Sequence, residues 1–284
     1  MTRPPLALRG IRVLTLALNL PGPAAVMRLR AMGARCTKLE PLAADGGSAD
    51  PMSHYRPAAY QTMHQGVRVV GADLKQPADQ KKLHALLAQT DVLITSFRPS
   101  ALKKLGIAPQ ALKQAYPALI QVSIVGAPGP KAEHPGHDLT YMAECGLVPD
   151  LALPASLFAD MGGSLLVTEA VLKALLQRKQ RSGRGVHVEV ALNDAAAYLG
   201  LPHSWGLTTP EGAVGGAHAG YRVYACQGGR VAVAALAVET SKTFLAIFLA
   251  AWAAVVVAAR AASKTFLVTF LGGAQGVDVA DAAQ

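Results

Sequence analysis

Cysteine is scarce in this chain: Cys36, Cys145 and Cys226 are its only three in 284 residues. They are odd in number and far apart, and none has the Cys-x-x-Cys spacing that clamps zinc or runs dithiol chemistry. They read as buried, reduced thiols of a cytoplasmic protein, and no metal is expected. Charge is also sparse, at 16% of residues against 51% hydrophobic, which excludes an intrinsically disordered chain. Aromatic residues make up only 5% and do not interleave with the scattered lysines and arginines. The formal charge of +9 therefore lacks the stacking platforms of a nucleic-acid surface. It fits a solvated basic surface, or a small polyanionic ligand such as a nucleotide or coenzyme A that needs a few well-placed cations. The uncharged stretch 243–259, closed by Lys242 and Arg260, falls short of the roughly 20 residues of a membrane span and reads as a buried helix. The opening MTRPPLALRGIRVL lacks a continuous apolar core and cleavage site, so no secretory signal is expected.

Three motifs are missing as well. No Gly-x-Gly-x-x-Gly follows the first apolar run, no Walker A sequence occurs, and no Gly-x-Ser-x-Gly elbow is present. These absences count against dinucleotide, ATP and α/β-hydrolase chemistry.

What is present is an alternation of short apolar runs with helical stretches. Strands are predicted at 12–18, 36–40, 67–70, 91–97, 119–125 and 186–192. Helices are predicted at 24–32, 79–89, 100–115, 139–145 and 161–178. That order predicts an α/β fold, a mostly parallel sheet with helices on both faces in a Rossmann-like large domain. Past Leu201 the character changes to a Gly/Thr/Pro-rich loop and a predicted hairpin, 221–225 with 230–236. The boundary is placed there, giving a domain over 1–200 and a smaller one over 201–284. The block SKTFLAIF from Ser241 recurs as SKTFLVTF from Ser263.

Two segments carry candidate chemistry. HPGHDLTY places His137 and Asp138 at a helix start after a Pro-Gly turn, and LFADMGG places Asp160 at another. A carboxylate there is stabilised by the helix dipole and free N–H groups, so Asp160 is expected to stay ionised near neutral pH. An ordinary helix cap is the plainer reading of such an Asp, and a structural His the plainer reading of His137. Gly162 and Gly163 offer a close backbone approach for a ligand and N–H donors for an oxyanion.

Taken together, LRGIRVLTLALNLPGPAAVMRLRAMGARCTKLEP, ADLKQPADQKKLHALLAQTDVLITSFRPSALKKLGI, ALIQVSIVG, HPGHDLTYMAECGL, LFADMGGSLLVTEAVLKALLQRKQRSGRGVHVEVAL and GYRVYACQGGRVAVAAL resemble, in order, the class III CoA-transferase (CaiB/BaiF) family. That family includes formyl-CoA transferase and α-methylacyl-CoA racemase. The resemblance implies that 1–200 binds coenzyme A and that Asp160 is the key carboxylate. In transferases it forms a covalent anhydride and then a CoA thioester; in racemases it moves a proton. Gly136-His137-Asp138 matches the racemase motif, and transferases tend to have Tyr at the His137 position. The resemblance thus favours a racemase of 2-methyl-branched acyl-CoA thioesters acting through an enolate. A CoA-transferase and a non-catalytic acyl-CoA binder are the alternatives.

For acyl-CoA binding the resemblance points to Asp73-Leu74-Lys75 and Ser96-Phe97-Arg98. Lys75, Arg98 and Lys104 would meet phosphates, Arg28 and Arg30 are weaker candidates, and Asp138 lines the site. Phe97 is either an adenine platform or a core residue. The racemase Glu aligns with Ala237, leaving Glu239 as its substitute if two residues are inserted, and Ser156 stands for the motif's Asn. Family chains are longer and form interlocked homodimers. Here 241–284 matches nothing in them, so the small domain, with its apolar helical tail, reads as incomplete.

Overall fold

The computed structural model describes residues 6–44, 46–148, 150–180, 182–226, 229–234, 265–270 and 277–281. Residues Met1–Gly200 and Leu201–Gln284 form two compact units. In the first, β1 (Arg12–Thr15), α1 (Pro21–Ala31), β2 (Arg35–Glu40), α2 (Pro51–Tyr55), α3 (Pro57–His64), β3 (Arg68–Gly71), α4 (Pro77–Leu87) and β4 (Val92–Thr95) follow in order. Then come α5 (Pro99–Lys104), α6 (Pro109–Ala115), β5 (Ile120–Val125), a 3-10 turn, α7 (Asp138–Glu144), α8 (Phe158–Gln180), β6 (His187–Ala191) and α9 (Leu192–Leu199). The six strands pair in the order β3-β2-β1-β4-β5-β6, every pairing parallel. This is the expected α/β fold with a doubly wound sheet.

Why the strands read as continuous apolar runs is visible in their burial. Val13, Ile94, Val122 and Ile124 turn to the face packed by Val26 and Leu29 of α1 and Val167 and Val171 of α8. Their neighbours Leu14 and Leu93 turn to the opposite face, against Leu83 and Leu87 of α4, Leu102 of α5 and Leu112 of α6. Period-two alternation between two apolar faces makes most strand positions apolar, with Thr15, Lys38, Thr95, Gln121 and Ser123 as buried polar exceptions.

Each of α1 to α6 begins with proline. Proline suits the first helical position, where its missing N–H has no intrahelical acceptor and its φ is already set. The sequence-based starts of α1, α4 and α5, at residues 24, 79 and 100, fall one to three residues after these prolines. Helices α2 and α3 were not anticipated at all. The start of α2 depends on Asp50, a fully buried carboxylate that accepts the Met52 N–H at 2.9 Å and so caps the helix.

Asp50 also joins three segments. It pairs with the buried ammonium of Lys38 on β2, and its two oxygens share the Asn19 N–H of the β1–α1 loop at 3.1 and 3.2 Å. Lys38 meets Glu40 at 2.7 Å and lies 4.9 Å from the Tyr60 ring centre, while Tyr60 donates to Glu40 at 2.9 Å.

In the second unit, after α10 (Leu201–Ser204), β7 (Tyr221–Cys226) and β8 (Gly229–Ala234) pair antiparallel. Then β9 (Thr265–Phe270) runs parallel to β8, and β10 (Val277–Asp281) antiparallel to β9. Two strands not anticipated from the sequence thus follow the stretch read as helical, and TFLVTF, a run of β-branched and aromatic residues, suits the first of them. The stretch 243–259 and Glu239 lie outside the described residues.

Asp50→Ala would leave Lys38 short of a counter-ion and two N–H groups without an acceptor. It is expected to lower the unfolding free energy by about 3–5 kcal/mol in urea titration. Lys173→Ala, which breaks an exposed i,i+4 pair with Glu169, is expected to change it by less than about 0.5 kcal/mol.

Candidate active site

Because all six strands run the same way, the loops after β1, β3, β4 and β5 share one edge of the sheet, with the topological switch between β1 and β4. The Leu18 N–H bonds Ser96 Oγ at 3.3 Å across that switch. The crossover from β5 to β6 supplies α7 and α8, and α8 starts at this edge.

Asp160 is the third residue of α8 and is 9% exposed. Asp138, the first residue of α7, is buried as well, and its Oδ1 accepts the Asp160 N–H at 3.0 Å. The Asp160 carboxyl is raised from 3.8 to about 6, first by burial and then by the Asp138 charge, with His137 pulling it down. Burial and the Asp138 charge thus outweigh the helix-start stabilisation, although at about 6 the carboxyl is still ionised in most molecules near neutral pH. Its own N–H is engaged by another carboxylate, and desolvation outweighs the dipole. The Met161 N–H is likewise directed at Leu157 O, at 2.9 Å. These two N–H groups at the helix start are therefore already in use.

His137 precedes α7, with its backbone fixed by Thr140. The Thr140 hydroxyl accepts the His137 N–H at 3.1 Å and donates to the His137 carbonyl at 2.7 Å. Its side chain is exposed and close enough for its charge to act on Asp160. Tyr141, one turn further along α7, is 6% exposed, and its phenol is raised by burial, then by the charges of Asp160 and Glu144. A Cβ on Gly126 or Gly136 would lie 2.2 or 2.3 Å from the Tyr141 hydroxyl oxygen, so both positions must stay bare to seat it. Sequence reading missed Tyr141, although its i,i+4 spacing from His137 was the available signal.

Gly162 and Gly163 do not open onto a ligand. Cβ atoms there would come within 2.9 Å of Leu199 and 2.3 Å of Leu192, so the glycines let α9 pack against α8.

The structure gathers His137, Asp138 and Asp160, and spreads the remaining candidates. Asp73, Leu74 and Lys75 form a turn after β3, where Asp73 accepts the Lys75 N–H at 3.0 Å and Gln76 Nε2 at 3.2 Å. These bonds hold the exposed Asp73 below its ordinary value. Phe97 is half-buried against the α4–α5 core, which favours its structural role, while Arg98 is the exposed residue preceding α5. Lys104 ends α5, and Arg28 lies roughly 10 Å down α1 from its start at this edge, on the solvent side. A cavity of about 1250 Å³ beside β6, lined by Lys113, Gln121, Arg184 and His187, contains none of the candidates.

With this geometry in place, similarity to known proteins is informative. The model of CoA-transferase family III matches residues 8–264, which takes in 241–264 where no family pattern was expected, and the chain belongs to that family. It is 31% identical to the mouse (Mus musculus) alpha-methylacyl-CoA racemase over 204 residues, covering 68% of this chain and 50% of the racemase. It is also 31% identical to the (R)-2-hydroxy-4-methylpentanoate CoA-transferase of Clostridioides difficile over 206 residues, 67% of this chain and 52% of that one. A crystal structure of a CAIB/BAIF family protein from Brucella suis superposes with a TM-score of 0.67 at 29% identity, over 78% of this chain and 64% of that one. The chain spans about half the length of the curated relatives it matches. Among the described residues, no helix is long and apolar enough to cross a membrane.

Asp138→Asn keeps an acceptor for the Asp160 N–H and removes the like charge. The ionised form of Asp160 is then less disfavoured, so its pKa is expected to fall below 6. Carbon-13 NMR titration of labelled Asp carboxyls reads this directly, and an unchanged or higher value would contradict the assignment. In the wild type the folded value lies above the unfolded one, so this group's contribution to stability is full below about pH 4 and is lost as pH rises through about 6.

Proposed function

We propose that this protein racemises 2-methyl-branched acyl-CoA thioesters by 1,1-proton transfer, with His137 and Asp160 on opposite faces of the α-carbon. The observation that carries this is the pairing of a buried carboxyl poised near pH 6 with an exposed imidazole within reach of its charge. The α-proton of a thioester is weakly acidic, and inversion requires a base on one face and an acid on the other. An Asp with a pKa of about 6 is ionised in most molecules at pH 7, yet takes up a proton at little free-energy cost. Each residue removes the proton when the substrate presents its own enantiomer and returns one when it presents the other.

The enolate formed between the two transfers needs a donor at the thioester oxygen. With the Asp160 and Met161 N–H groups engaged, the Tyr141 hydroxyl, seated against Gly126 and Gly136, takes that role. Ser96 to Arg98 and Asp73 to Lys75, on the same sheet edge, are assigned to coenzyme A, with Arg98 and Lys75 facing its phosphates.

A second reading, CoA transfer between carboxylic acids with Asp160 as nucleophile, is supported by the similarity to the Clostridioides difficile transferase. The homodimer implied by the family resemblance and the cytoplasmic setting read from the cysteines also stand as proposals. An exposed apolar stripe along α8, Phe158, Met161, Leu165 and Leu176, supports the first, and the free thiols Cys36 and Cys145 support the second.

Alpha-proton exchange followed by proton NMR in D2O, with 2-methylacyl-CoA thioesters, tests the reaction. Wild type is expected to exchange the proton, His137→Ala and Asp160→Ala to lose at least about 10³-fold, and Tyr141→Phe to lose about 10²-fold with the fold intact. Exchange that survives in Asp160→Ala would sink the proposal.

A further inference from the structure

Asn19 sits beyond β1 in the left-handed region, with φ of 67°. Asn adopts that conformation more readily than most residues. Here it is also held from below, because Asp50 takes its N–H with both carboxylate oxygens. The same carboxylate caps α2, the helix that ends in Tyr55. The circuit closes on the surface, where the Tyr55 hydroxyl donates to Asn19 Oδ1. One buried ion pair, Asp50 with Lys38, thus sets the position of an exposed phenol and of an amide beside it.

This pair lies on the sheet edge that carries the candidate site. The adjoining Leu18 is tied to Ser96 across the switch, and the Tyr55 phenol is raised by burial and by the charges of Asp50 and Asp160. The proton-transfer scheme uses neither residue. With Oδ1 occupied, the two Nδ2 hydrogens of Asn19 remain available as donors, and the Tyr55 oxygen keeps acceptor capacity. Two carboxylates act on this position, so a negatively charged guest is disfavoured. A neutral group that both accepts and donates is favoured, and a hydroxyl does both.

We infer that Asn19 and Tyr55 are specificity residues that hydrogen-bond a hydroxyl carried by the acyl group near its α-carbon. The inference rests on the reading of Asp160 as acting at that carbon, since this places the acyl group beside the pair.

Isothermal titration calorimetry on the full chain, with 2-methylbutanoyl-CoA and 3-hydroxy-2-methylbutanoyl-CoA, reads the preference without requiring turnover. Asn19→Gly removes the amide while tolerating the positive φ, and Tyr55→Phe removes one oxygen. Neither variant touches the Asp50–Lys38 pair, and circular dichroism checks that each is folded. Wild type is expected to bind the hydroxylated thioester about 5- to 10-fold more tightly, the range of one or two neutral hydrogen bonds. The ratio is expected to fall to about twofold or less in Asn19→Gly and to an intermediate value in Tyr55→Phe. Equal wild-type affinities, or a preference that survives in Asn19→Gly, would overturn the inference. Alpha-proton exchange in the same samples reports separately on the reaction. A preference without exchange supports the hydroxyl site and removes the racemase reading, whereas exchange without preference does the reverse. Absence of binding by both thioesters overturns both.

Discussion

The hydrogen bond from the Asp160 N–H to the Asp138 carboxylate joins two helix starts and sets the character of the site. A carboxylate is the strongest acceptor a side chain can offer to a helix N-terminus, so the contact fixes α7 against α8. It also brings a negative charge beside a second buried carboxyl. Two carboxylates in one desolvated place cannot both ionise freely, and the cost appears on Asp160, which rises to about 6. One contact therefore serves as a structural cap and tunes the acid. The close packing of α9 on α8 over Gly162 and Gly163 keeps that carboxyl in place.

A second buried carboxylate organises the opposite side of the same edge. Asp50, Lys38 and Glu40 are almost completely buried, and removing such charges from water is costly unless every lone pair and proton finds a partner. Asp50 meets that demand by accepting from Lys38, Met52 and Asn19. The outcome is positional. The β1–α1 loop, the start of α2 and strand β2 are locked together, and the polar groups at the mouth of the site take defined directions.

Much of the first unit was legible in the sequence because its strands are buried on both faces. A run such as VLIT or IQVSIV can then hardly be anything but a central strand. Helices α2 and α3 were not legible: the cap of α2 is Asp50, a carboxylate held by a buried salt bridge to Lys38 that no local pattern announces. His137, Asp138 and Asp160 stood out through their motifs, yet the raised carboxyl of Asp160 did not. Its causes, burial first and then the charge of Asp138 22 residues away, exist only once α7 and α8 are packed. The glycines after Asp160 misled for a related reason: a bare backbone looks the same in sequence whether a ligand or a leucine approaches it.

The central claim is that Asp160 moves a proton at the α-carbon and forms no bond to the acyl group. Incubating enantiopure (2R)-2-methylacyl-CoA with the protein in D2O, then analysing the products by chiral chromatography and mass spectrometry, tests it directly. The account predicts that the 2S thioester accumulates and that each inverted molecule carries one solvent deuterium at C2. Retention of configuration without deuterium, together with transfer of CoA to an added carboxylic acid and an acyl or CoA adduct on Asp160, would contradict it.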